Sequence, residues 1–341
     1  MIKWLYSYQP DKEKFLYLEE NISDELNEHK VRIRPIRVGV CGSDTKQILE
    51  KVDQPKIGHE WVGIVLETGS KVSQFSKGEK VISLAHTACE SCKHCLAGSF
   101  KDCLSPQLLG EKSKSVLSSH IDLYECDLLK VPQELSFDDI CLFEVAFIGD
   151  SAYERAHSIG LKESDECLVF GAGPIGIFTA LALKHRGHKV SLVEKKKSRL
   201  ETAKNIGLNC LSLAEVIIDS TYHNKFDAVF DCTGDNEGNG AIKMIPFYPK
   251  VKGKVVIVGK YQNAQLNELI YSGKALRVTW VSHHEKEVFE NTIKFWSKLI
   301  PQYSDQLITL YDKSQIDQAF RDAIDRVHLK NMIKVNSHED S

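Results

Sequence analysis

The residues with the most chemistry to offer fall in three stretches. Four cysteines follow the spacing Cys89-x-x-Cys92-x-x-Cys95, with Cys103 after seven further residues. Four thiolates on one loop can surround a zinc ion tetrahedrally. A site with every position filled has no room for substrate, so the expected role is structural. An iron–sulfur cluster competes, but ferredoxin-type runs place the fourth cysteine after three residues and follow it with proline. Here the gap is seven and Leu104 follows. His94, inside the loop, reads as a surface residue.

The second stretch is Gly171-Ala172-Gly173-Pro174-Ile175-Gly176, directly after the apolar run Glu166 to Phe170 and before helical sequence from Ile177 to Arg186. A first glycine permits a tight turn, a second lets the backbone approach a pyrophosphate, and a third lets helix and strand pack closely. The helix start presents unpaired N–H donors to the phosphates. Gly171, Gly173, Pro174, Ile175 and Gly176 are therefore expected to bind a dinucleotide. Eighteen positions beyond Gly176 stands Glu194. An acid there accepts from the adenosine ribose hydroxyls and repels a 2′-phosphate, so NAD is preferred over NADP. Lys195, Lys196, Lys197 and Arg199 follow at once, either as a solvated helix start or as attractors of that phosphate.

The third set is scattered. Cys41-Gly42-Ser43-Asp44 follows one predicted strand and Gly58-His59-Glu60 precedes another. Each fragment alone is unremarkable, because a lone cysteine or histidine is more often packing than ligand. Their meaning depends on the elements that hold them.

A chain of 341 residues, 42% hydrophobic, can bury more than one core. Its formal net charge of −3 provides no long-range positive field, which argues against nucleic acid and anionic membranes as partners. No run approaches a membrane span and Met1 to Gln9 lacks a signal-peptide pattern, so a cytoplasmic protein is expected, with its ten cysteines reduced. Cys126, Cys141, Cys167, Cys210 and Cys232 sit singly among apolar residues and read as packing.

From the start to about residue 147 the chain reads as short strands broken by Gly and Lys, such as Val31 to Val40, Gly63 to Thr68 and Lys80 to Leu84. Ser151 to His283 then alternates apolar strands with helices, which predicts an α/β, doubly wound parallel sheet. Its expected strands are Glu166 to Phe170, Lys189 to Val193, Asp227 to Asp231, Lys254 to Val258 and Leu276 to Val281. Glu285 to Leu299 and Ser314 to Val327 read as amphipathic helices and Asn331 to Val335 as a last strand. That tail is too short for its own core and is expected to rejoin the first unit. The division is thus residues 1–150 with 284–341, and residues 151–283.

In this order, Cys41-Gly42-Ser43-Asp44, Gly58-His59-Glu60-Trp61-Val62-Gly63, the four cysteines and Gly171 to Gly176 resemble the zinc-dependent medium-chain alcohol dehydrogenase family, in its polyol and threonine dehydrogenase branch. The resemblance spans nearly the whole chain. It implies a barrel-like (GroES-like), mainly β catalytic domain, an inserted Rossmann domain, and a catalytic zinc in the cleft between them besides the structural zinc. It further implies Cys41, His59 and Glu60 as ligands, with Glu144 a second carboxylate that binds directly or through water. Ser43 would take the proton of a secondary alcohol, such as a polyol, sugar or amino alcohol, while hydride passes to NAD. Relatives are commonly homodimers or homotetramers.

Three departures bear on function. Val145 replaces a proline after Glu144, and Lys46 stands where a proton-relaying histidine is usual. The glycine-rich stretch before the barrel-closing strand is absent from Lys112 to Ser119. Lysine relays a proton only with a lowered pKa. The rival function is a nucleotide-binding sensor on this scaffold without turnover. Reduction of a ketone is the same chemistry reversed.

Overall fold

The computed structural model describes residues 1–110, 114–234, 241–261, 266–281 and 286–337. Two compact units emerge, Met1–Phe143 with Ser297–Ser341, and Glu144–Trp296. The first junction lies earlier than the expected cut after residue 150, because Phe143–Ser158 is one continuous helix. The second junction follows Trp296, later than the expected cut between residues 283 and 284, because the helix Lys286–Trp296 packs in the second unit, where Phe289 stacks on Phe147 and Trp296 meets Phe178 edge-on. Lys112 and Ser113 lie outside the described residues.

In the first unit a seven-stranded sheet runs in the order Ile308–Asp312, Lys330–Lys334, Lys30–Gly39, Glu60–Thr68, Lys80–Ser83 and Leu128–Lys130, with Ile121–Tyr124 also paired to Lys30–Gly39. Alternation along these strands sends Val31, Ile33, Val38, Trp61, Val65 and Val81 into one core with Phe320 and Ile333 from the chain's end. Pro35 is tolerated inside Lys30–Gly39 because the register to its neighbour slips between Pro35 and Arg37. Lys330–Lys334 pairs antiparallel with the same strand, aligning Met332 with Gly39, while on the other side Gly39 aligns with Glu60. Glu60 is thus the first residue of its strand, three positions before the expected start at Gly63.

In the second unit six parallel strands run in the order Asn209–Ser212, Lys189–Glu194, Glu166–Phe170, Phe226–Asp231, Pro249–Ile257 and Arg277–Trp280. The order reverses between Glu166–Phe170 and Phe226–Asp231, and both are almost wholly buried, as strands covered on two faces must be. Five of the six strands overlap the expected ones. Asn209–Ser212 was not anticipated: it is a short, half-exposed edge strand whose sequence carries no clear apolar run. The helices Lys286–Trp296 and Ile316–Ile324 are shorter than their predicted spans, and Pro174–His185 begins at the proline.

Candidate active site

Cys41 caps the helix Gly42–Leu49, at the end of the strand that precedes it. His59 lies immediately before the strand Glu60–Thr68, whose pairing with Lys30–Gly39 brings it back to Cys41. One ligand atom each from Cys41, His59 and Glu60 lies within 4.8 Å of the others. Asp44, fully buried, ties the pieces together: its Oδ2 accepts from the Cys41 amide (3.0 Å) and its Oδ1 from the Gly58 amide (3.3 Å). The same Oδ1 faces His59 Nδ1 at 3.5 Å, which orients the imidazole and leaves Nε2 for a metal. A thiolate, an imidazole and a carboxylate around one point are the donor set of an open zinc site, so the residues fit that ion.

The electrostatics follow from this crowding. Burial pushes the Cys41 thiol up, but the charge of and hydrogen bond to His59 outweigh it and bring the thiol down to about 7. Burial works against a charged His59, yet Cys41 and Asp44 together hold its pKa well above the ordinary value. Ser43 Oγ, in the first turn of the helix, is buried without a hydrogen-bond partner among the described residues.

Glu60 has a partner that sequence reasoning missed. Lys330, as buried as Glu60 itself, ion-pairs with its Oε2 and also donates to the Val40 carbonyl at 3.0 Å. Gly39 makes the room: a Cβ there would stand 2.7 Å from Glu60 Oε2 and 3.0 Å from Lys330 Cε. Burial lowers the Lys330 ammonium to about 8, although Cys41 and Asp44 oppose that shift. The only signal in the sequence was a lysine at the head of a short apolar strand. Glu144 is not one of the converging trio and sits in the first turn of Phe143–Ser158, in the other unit. Lys46 lies on the Cys41 helix with Nζ 3.8 Å from Glu50. Within the divergent stretch, Val116 and Leu117 are buried, and Val116 packs over Gly58, whose φ of +87° suits glycine.

The four cysteines form the second metal-competent cluster, again with all sulfurs within 4.8 Å. Backbone amides of Cys89 and Cys92 donate to the sulfurs of Cys103 and Cys89, each at 3.3 Å. Hydrogen bonds from the Ser91 amide and hydroxyl bring Cys89 down to about 6, while burial first and the neighbouring thiols next push Cys95 up to about 12. Glu90, in left-handed backbone with φ of 63°, is gripped by Lys30 (3.1 Å) and Lys114 (3.0 Å). The loop packs on Phe100 and Tyr124, stacked 3.7 Å apart.

At the reversal point of the parallel sheet, Gly171 turns with φ of 96°, and Gly173 caps the helix that Pro174, Ile175 and Gly176 begin. A side chain at Gly176 would collide with the Gly171 carbonyl. Glu194, ending the neighbouring strand, accepts from the Ala172 amide (2.9 Å) with Oε2 and from the Lys195 and Lys196 amides (2.7 and 3.0 Å) with Oε1. Arg199 approaches Glu194 at 4.0 Å.

Residues 27–133 match the alcohol dehydrogenase GroES-like domain family and residues 174–298 the zinc-binding dehydrogenase family. The chain is 28% identical to L-idonate 5-dehydrogenase of Vitis vinifera over 269 residues, covering 73% of this chain and 72% of that one. It is 24% identical to L-threonine 3-dehydrogenase of Marinomonas sp. (strain MWYL1), over 84% and 85% of the two chains. The crystal structure of 2R,3R-butanediol dehydrogenase from Bacillus subtilis shares the fold with a TM-score of 0.79 at 22% identity, covering 98% of this chain and 100% of that one. The two family matches define a zinc-binding oxidoreductase. The chain belongs to the zinc-dependent medium-chain alcohol dehydrogenases, in the branch of the polyol and threonine dehydrogenases. Among the described residues no helix is long and apolar enough to cross a membrane.

Proposed function

We propose that this protein transfers hydride between a secondary alcohol, of the polyol, sugar or amino-alcohol class, and NAD, using one catalytic zinc held by Cys41, His59 and Glu60. The observation that carries the reading is the convergence of these three side chains, with Asp44 bracing two of them. When bound, the zinc would act as a Lewis acid that lowers the pKa of the alcohol, and the nicotinamide would accept the hydride. Three protein donors leave one coordination place open for substrate. Ser43, whose hydroxyl in the first turn of Gly42–Leu49 is buried without a hydrogen-bond partner among the described residues, would take the alcohol proton. Cys89, Cys92, Cys95 and Cys103 would hold a second zinc in a purely structural role.

Glu194 supports NAD. A carboxylate accepts about four hydrogen bonds, and three are taken by amides of the loops it joins. One acceptor place remains for a ribose hydroxyl, and the negative charge opposes a 2′-phosphate. Arg199 leans on Glu194, which tempers its pull on that phosphate.

The test is a spectrophotometric screen of zinc-loaded protein with polyols, sugars, amino alcohols and simple secondary alcohols, each with NAD and with NADP. Growth of reduced-nicotinamide absorbance with a secondary alcohol and NAD is expected. Tight dinucleotide binding with no turnover of any alcohol, and none of the matching ketones in reverse, would overturn the catalytic assignment in favour of a sensor.

A further inference from the structure

The second unit holds a buried acid that neither the glycine loop nor the metal site uses. Asp231, the last residue of Phe226–Asp231, is wholly inaccessible to solvent. Its Oδ1 accepts from both the amide (3.0 Å) and the hydroxyl (2.6 Å) of Thr233, and its Oδ2 accepts from the Tyr261 hydroxyl. The Thr233 and Tyr261 hydroxyls also meet each other at 2.9 Å. The Asp231 carbonyl accepts from the amides of Val258 and Gly259, and at Gly259 an added Cβ would lie 2.7 Å from Gly234 Cα. One carboxylate thus laces together the chain leaving two adjacent strands. Its partners among the described residues are all neutral, and a carboxylate held by neutral donors is costly to keep buried.

Its position suggests what the cost serves. In a doubly wound sheet of this order the dinucleotide lies across the carboxyl ends of the strands, one mononucleotide over each half. The half ending in Gly171 and Glu194 takes the adenosine side. Asp231, Thr233 and Tyr261 close the other half, just past the reversal point, where a Cβ on Gly171 would stand 3.2 Å from the Thr233 methyl group.

We propose that Asp231 is a positioning residue which, through Thr233 and Tyr261, shapes the surface that receives the nicotinamide riboside half of the cofactor. This rests on the dinucleotide reading above. It predicts a selective loss. Asp231→Asn weakens NADH binding about tenfold, while AMP, which fills only the adenosine half, binds within about twofold of the unaltered protein. Tyr261→Phe removes one bond of the network and shifts NADH in the same direction by about threefold, again sparing AMP. The measurement is quenching and energy transfer of tryptophan fluorescence on titration with NADH, with AMP as competitor. Thermal unfolding without ligand is recorded for both variants.

A changed ratio of NADH to AMP affinity in either variant supports the assignment, and Tyr261→Phe carries the test should Asp231→Asn not fold. Lowered thermal stability with that ratio unchanged shows a purely structural clamp and overturns it. Failure of the unaltered protein to bind either NADH or AMP would overturn the dinucleotide reading itself.

Discussion

The two metal-competent clusters of the first unit are built on opposite plans. Cys89, Cys92, Cys95 and Cys103 come from one loop, carry four like donors and are steadied by backbone amides. Cys41, His59 and Glu60 come from a helix cap and the start of a strand, carry three unlike donors, and are braced by Asp44 and by Lys330 from the far end of the chain. A loop of four thiolates needs little more than itself and closes the ion off. A mixed trio depends on strand pairing for its assembly and leaves a position free for chemistry.

Removing one donor from each cluster tests that contrast most severely. Cys41→Ser is expected to cut turnover by about a thousandfold or more, since the metal is asked for several kcal/mol of charge stabilisation. NADH binding stays within about twofold, because the glycine loop contains none of the three donors. Cys103→Ser should act in the reverse sense, lowering Tm by about 10 °C while residual activity per folded molecule persists. Equal activity losses at both positions would erase the distinction.

Lys330→Met probes the bracing. It strands the buried Glu60 carboxylate, and metal-free protein should lose about 3–5 kcal/mol, read by denaturant unfolding. Zinc, standing in for the lost ammonium beside Glu60, should restore stability by more than it adds to the unaltered protein. Asp44→Asn removes the charge behind His59, and zinc affinity measured by chelator competition should fall about ten- to hundredfold.

The pH dependence of zinc uptake separates the sites further. In the metal-free trio Cys41 is mainly thiolate above about pH 7, whereas His59 keeps its proton well above its ordinary range. Near neutrality zinc must displace the imidazolium proton, and below about 7 the thiol proton as well. Affinity therefore rises with pH, by about tenfold per unit for the single proton and more steeply on the acid side. A flat profile between pH 6 and about 8 would contradict the paired charge state. The smallest effect is expected at Glu144, which is not one of the three converging donors: Glu144→Gln should change zinc affinity by less than about tenfold, and a larger loss would make it a ligand.

Legibility in the sequence tracked contact distance. The cysteine loop and the glycine turn are contiguous, so spacing alone reveals which side chains and amides meet. Cys41 and His59 were recognisable only through their order among the other motifs, as each fragment by itself is ordinary. The short strand Asn209–Ser212 escaped because an edge strand has one covered side and needs no apolar run. Lys330 and the Asp231–Tyr261 clamp were invisible for another reason: a buried charge announces itself only by its partner, and here the partners lie 270 and 30 positions away.

Sequence by itself determined the fold class and the order of the units, because strand burial and helix caps are properties of short stretches, and it named candidate donors through the order of the motifs. Tertiary structure alone decided how the donors are held. The register of Gly39 against Glu60 and Met332 sets a lysine beside the carboxylate, and the absence of a side chain at Gly39 lets them meet. Such pairing is settled by packing across strands, where the positions brought together are unrelated to their separation along the chain.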